Sequence, residues 1–404
     1  MRVLLFTGKG GVGKTTAAAG TALLAADRGL KTLVLSTDPA HSLADALDVA
    51  AGPEPQEMLP GLYVQQVDAQ RRLERSWWDI QQYLLSVLDS AGVDRLEAEE
   101  LTVLPGAEEV LALLEVRDQV RSGRWDVVIV DCAPTAETLR LLALPEALGW
   151  YMERVFPVER RVLRTLRPVL GRAVGVPMPA ERVLDAVERF HAELAEVRDV
   201  LTDAGTTVRL VLTPESVVVA EARRTLTSLA LYGYRVDGVV ANRVFPDAAG
   251  DAWRSGWVAA QQPLLADVEA SFAPLPVFRS PYHAAEPVGS AALLAFAEAA
   301  YGDSDPFAQP PESDVLRVVR DGDMFHLSLS LPFADRDHTD LARKGDELLL
   351  TVGGHRRILA LPSALRRCEV VGAALRDGRL TVTFAPALRD AVEPDPRSAA
   401  EAAR

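Results

Sequence analysis

Residues 3–7, 33–37, 62–67, 127–131, 208–212 and 236–241 form short, mainly apolar runs bounded by turn residues. Runs of this length without polar alternation read as strands buried on both faces. Their alternation with helical segments predicts a parallel sheet covered on both sides. The alanine-rich segment 16–28 reads as a helix closed by Gly29. Other apolar positions recur every three or four residues. Trp77, Ile80, Leu84, Val87, Leu88 and Ala91 form one stripe, and Val183, Val187, Phe190, Leu194, Val197 and Leu201 another. A third, Val155, Val158, Val162, Leu166 and Val169, runs beside a line of arginines. The sheet is therefore expected to be interrupted by helical insertions at about 71–122 and 145–203.

The pattern changes after residue 302. A Pro-rich stretch marks a linker at 303–313. Beyond it, 324–331, 347–352 and 380–384 alternate with period two, with Asp321-Gly322, Gly353-Gly354 and Asp377-Gly378 as turns. This predicts a small all-β sandwich over 314–388 and a disordered charged tail over 389–404. The expected fold is thus α/β, with a doubly wound, mostly parallel sheet over 1–302, followed by the small sandwich.

Composition narrows the function. With 49% apolar and 25% charged residues in 404, the chain has the balance of an ordinary globular protein. A net charge of -14 excludes a general nucleic-acid binder, whose affinity comes from neutralising phosphates. No run of eighteen apolar residues exists to span a membrane, and the opening strand does not read as a signal peptide. Two cysteines, Cys132 and Cys368, supply neither a disulfide framework nor a zinc site, and fit a reducing cytoplasm. Only four of the 43 basic residues are lysines: Lys9, Lys14, Lys31 and Lys344.

Two of those four lie in Gly8-Lys9-Gly10-Gly11-Val12-Gly13-Lys14-Thr15, which matches G-x-x-x-x-G-K-[ST] between a strand and a helix. The glycines let backbone N–H groups curl around a triphosphate whose charge the helix N-terminus favours. Lys14 then reaches the outer phosphates, Thr15 ligates Mg²⁺, and Thr16 completes the loop. Asp38, at a strand end in Ser36-Thr37-Asp38-Pro39-Ala40-His41-Ser42, is placed to orient or deprotonate the attacking water. The expected ligands are ATP and Mg²⁺.

The string KGGVGKTT resembles the deviant-Walker ATPases, and STDPAHS resembles their arsenical-pump and tail-anchored-protein-targeting branch. In that group the extra lysine, here Lys9, reaches across a dimer interface to the partner's nucleotide. Asp131-Cys132-Ala133-Pro134-Thr135 is similar to the second switch, which makes Asp131 a holder of the Mg²⁺ shell through water; Cys132, Ala136 and Glu137 depart from the pattern. By the same resemblance Asn242 contacts adenine, and Pro274 and Pro276 belong to a loop covering the base. The segment from Ile358 to Val382 resembles the α-crystallin (small heat-shock) signature. The resemblance implies a cytoplasmic homodimer that handles or targets hydrophobic protein segments, and leaves a membrane receptor open as a further partner. Two other readings stay open: a motor energising an anion transporter, and a nucleotide-gated scaffold with little turnover.

Overall fold

The computed structural model describes residues 1–38, 41–68, 107–132, 181–246, 251–309 and 316–386, with the single positions 82 and 85. Pro39, Ala40, the second-switch residues 133–140, the stripes around Trp77 and Val155, and the tail from 389 lie outside the described residues. The chain divides into two compact units, Met1–Ser313 and Asp314–Arg404.

The first unit is built on one eight-stranded sheet. Its elements, in chain order, are β1 (Arg2–Thr7), α1 (Lys14–Asp27), β2 (Thr32–Ser36), α2 (Ser42–Leu47), β3 (Gln56–Leu59), β4 (Leu62–Gln66), α3 (Ala107–Arg121) and β5 (Val127–Asp131). There follow α4 (Glu181–Thr202), β6 (Thr206–Leu212), α5 (Ser216–Tyr232), β7 (Val236–Val244), α6 (Ala252–Phe272), β8 (Val277–Pro281) and α7 (Ser290–Tyr301). The strand order is β3-β4-β2-β5-β1-β6-β7-β8. Every neighbouring pair is parallel except β3 with β4. The chain winds outward from β1 in both directions, so the end of β1 sits where the winding reverses, the place where such sheets bind ligands.

The core explains the apolar runs. All six residues of β1 and all five of β2 and β5 are buried, as a sheet covered on both faces requires. The alanines of α1 allow close approach: a Cβ at Gly20 would come within 2.7 Å of the Leu293 carbonyl on α7. The ends of both supposed insertions prove to be core helices. Leu113, Leu114 and Val116 of α3, and Leu194, Val197 and Leu201 of α4, join the buried cluster with the strands. The three- and four-residue spacing in α4 is that of a helix covering a sheet, and both helices shorten any insertion accordingly.

Charge is also buried at the start of the strands. Asp237 of β7 accepts from Arg2 (2.8 Å), from Thr207 (2.8 Å) and from Arg209 through Nε (3.1 Å) and Nη2 (2.8 Å). Arg209 also donates to the Tyr301 hydroxyl and the Pro306 carbonyl, amid the rings of Phe6, Phe278 and Tyr301.

The second unit holds two antiparallel sheets. One is ordered β14-β15-β10-β9 and the other β11-β12-β13, from β9 (Leu316–Asp321), β10 (Met324–Ser330), β11 (Thr339–Lys344), β12 (Glu347–Val352), β13 (His355–Ala360), β14 (Cys368–Arg376) and β15 (Arg379–Pro386). Leu327 and Leu329 alternate with half-buried neighbours, as do Leu348, Leu350 and Val352, giving this unit its own apolar interior.

Candidate functional site

β1 delivers the glycine loop at the winding reversal. At Gly8 a Cβ would lie 2.1 Å from the Val211 carbonyl oxygen, so only glycine lets the chain leave the sheet there. Gly13, at φ +93°, caps α1 with its Cβ position 2.3 Å from Asn242 Nδ2. At Gly10 and Gly11, by contrast, a Cβ would meet nothing within 4 Å. Among the described residues no neighbour requires glycine there, and that open space is the cradle. The α1 N-terminus has no side-chain cap and no acidic residue in its first turn, which leaves its N–H groups for an anion.

Three distant segments meet at Thr15. Its hydroxyl donates to Asp131 Oδ2 at 2.8 Å and lies 3.2 Å from the Ser42 hydroxyl. Asp131 ends β5 and is fully buried, and burial pushes its carboxyl up to about 7. The Thr15 hydrogen bond and the Lys14 charge work against that rise, and the nearby Asp38 adds to it. The other oxygen, Oδ1, has no hydrogen-bond partner among the described residues. A hydroxyl and a carboxylate with a spare buried oxygen form a hard donor set that fits Mg²⁺. Thr15 and Asp131 would hold the ion, and it would supply positive charge to the phosphate oxygens.

Lys14 is buried, with Nζ 3.5 Å from the Lys9 carbonyl oxygen. Lys9 itself stays on the rim, its Nζ 3.9 Å from Glu221 of α5. Asp38 is fixed at the end of β2: its N–H donates to Ser36 Oγ (3.2 Å) and its carbonyl accepts from Gln66 (2.8 Å). Val12 is held by Asn242, whose Nδ2 donates to its carbonyl at 2.8 Å. Thr16 and Asn242 line an adjoining cavity of about 360 Å³ with Arg243, Tyr282 and His283.

The structure thus gathers Gly8 through Thr16, Asp38, Asp131 and Asn242 into one place. It does not bring Pro274 and Pro276 there. Both precede β8, where the Pro276 carbonyl accepts from Val239 N–H at 2.9 Å. Because β8 runs parallel to β7, the chain approaches Asn242 only at the far end of the strand. The segment that closes the cavity is 281–287, from Pro281 to Pro287. Ser42 ends the string that carries Asp38, though nothing in that string announces its hydroxyl at Thr15, and segment 281–287 has no distinguishing string of its own.

The chain matches the anion-transporting ATPase family over residues 1–302, and an HSP20-like domain family over 322–384. It is 38% identical to a putative arsenical pump-driving ATPase of Prosthecochloris vibrioformis, across 95% of this chain and 96% of that protein. An uncharacterized protein of Streptomyces coelicolor is 43% identical across 96% of this chain and 98% of its own length. An ATPase ASNA1 homolog of Entamoeba dispar is 28% identical across 59% of this chain and 75% of that one.

Proposed function

We propose that this chain, which belongs to the anion-transporting ATPase family and is an ATPase, works as a Mg²⁺-dependent homodimer in which ATP controls the handling of hydrophobic protein segments. The observation that carries the reading is the convergence of Lys14, Thr15, Asp131 and Asp38 on one open glycine cradle. In this reading Lys14 and the α1 N-terminus bind the phosphates, and Thr15 and Asp131 hold the metal. Asp38 orients the attacking water and takes its proton, a role that belongs to a carboxylate beside the γ-phosphate. Lys9, on the rim, faces the nucleotide of a second copy, which a chain with one phosphate loop needs for a composite site.

The names of several relatives point instead to an arsenical pump. A soft metalloid calls for thiolates. Cys132 is buried, with its thiol pushed up to about 12 by desolvation, and Cys368 is buried in the other unit. That chemistry favours protein handling over metalloid binding, and the HSP20-like unit supports it as a fold associated with holding apolar chains.

The test combines three variants. Lys14→Ala abolishes ATP binding. Asp38→Asn keeps binding and loses about a hundredfold or more in turnover, and near-normal hydrolysis by it would overturn the assignment. Lys9→Ala weakens ATP-dependent dimer closure more than ATP binding, read by sedimentation with and without nucleotide. Crosslinking of an apolar helical peptide to the Asp38→Asn protein differs between its ATP and ADP states; equal crosslinking removes the client reading.

A further inference from the structure

β7 does not run straight into the site. Its pairing with β8 shifts between Ala241 and Val244, and the residues in the shift are Asn242 and Arg243. Arg243 has φ +58°, the left-handed region that a residue with a side chain rarely adopts. Such a conformation persists only where its surroundings over-determine it, and irregular pairing beside a site serves to re-aim a side chain. Here the side chain re-aimed is Asn242. Its Oδ1 accepts from Arg243 N–H at 2.8 Å while its Nδ2 reaches Val12 in the glycine loop.

A residue on another element holds the kink from behind. Gln261 of α6 is nearly buried, at 9% exposure. Its Nε2 donates to the Arg243 carbonyl at 3.1 Å and its Oε1 accepts from Phe245 N–H at 2.8 Å. One amide therefore ties the chain leaving the kink, at Arg243 and at Phe245, to a helix whose later turns are anchored in the core by Leu265, Val268 and Phe272.

We propose that Gln261 is a positioning residue for the nucleotide loop, acting on Val12 through the Arg243 kink and Asn242 without touching nucleotide. This rests on reading 8–15 as the nucleotide loop. Removing the amide frees Arg243 to leave the left-handed region, which withdraws Asn242 from Val12. The loop then spends part of its time outside the binding geometry, and affinity falls in proportion to that fraction. Because Asn242 engages both of its amide atoms with the chain, Nδ2 at Val12 and Oδ1 at Arg243, the link runs to the phosphate loop rather than to adenine as its resemblance implied, and ATP and inorganic pyrophosphate weaken alike.

The experiment is a double-mutant cycle on the full chain, read by calorimetric binding of ATP and of pyrophosphate. Gln261→Leu, which keeps the volume, is expected to weaken both by about tenfold with unchanged circular dichroism. Gln261→Glu keeps the acceptor for Phe245 N–H and loses the donor to Arg243, so it falls between wild type and Gln261→Leu and serves as the test if the leucine variant fails to fold. In an Asn242→Ala background either substitution has little further effect, because the two residues act in series. Additive losses, or a loss confined to ATP with pyrophosphate unaffected, would overturn the proposal. If Lys14→Ala still binds both ligands, it is the nucleotide reading of the loop that fails; if Lys14→Ala abolishes binding and Gln261→Leu binds normally, only the positioning role fails.

Discussion

Asp237→Asn is the sharpest test of how the first unit is held together. Asparagine fills the same space, so no cavity forms and the perturbation is the loss of one negative charge. That charge serves two cations: the side chains of Arg2, Arg209 and Asp237 are 6%, 2% and 4% exposed. Removing one member of a buried pair, leaving the other uncompensated, costs about 3–5 kcal/mol. At about 2–4 °C per kcal/mol for a large domain, the melting temperature should fall by roughly 6–20 °C. Tryptophan fluorescence isolates the event, because all six tryptophans lie within 1–302. The network sits at the start of β1 and the glycine loop at its end, so KM for ATP should hold at temperatures below the transition. Adding Arg2→Met should recover part of the loss by removing a stranded cation. A shift of less than about 2 °C would mean that water or a solvent anion already compensates these arginines, and the argument from burial would fail.

Two more predictions follow from the same geometry. Gly8→Ala should lower the melting temperature, since its Cβ meets a backbone carbonyl at 2.1 Å, while Gly10→Ala, facing open space, should melt as wild type; the reverse order would refute the packing account of the loop. Native chain at pH 8 should react with a thiol reagent at far less than one site, and at two sites once unfolded, since both cysteines are buried and the Cys132 thiol is held up at about 12; fast labelling of the native chain would contradict that burial.

What was legible in the sequence is what is local. The glycine loop, its strand and its helix occupy one string, and their physical reasons lie within that string. Asp131 and Asn242 could be named because their strings resemble those of a known family, yet that Asn242 clamps Val12 depends on a kink no pattern announces. Segment 281–287, which lines the cavity beside Asn242, carries no pattern of its own, and a proline pair such as Pro274 and Pro276 signals a turn without saying at which end of a strand it falls. β3, mostly exposed and polar, offered no periodicity. Nothing in the sequence pattern singles out Arg209 or Asp237, and only the sheet order makes them partners.

The strand order also sets a timetable. β1 is the first strand made, yet its two neighbours are β5 and β6, so its edges stay unpaired until residues 127–131 and 206–212 exist. The clamp on Val12 comes later still, with Asn242. At about 5–20 residues per second, the ribosome needs roughly 10–50 s to go from the glycine loop to its clamp. Through that interval a wholly buried strand waits without its sheet, and a nucleotide that binds only the finished loop cannot help it fold. ATP enters as a reward for completing the sheet, and a nascent chain stalled before residue 242 exposes β1 to whatever else in the cell would pair with it.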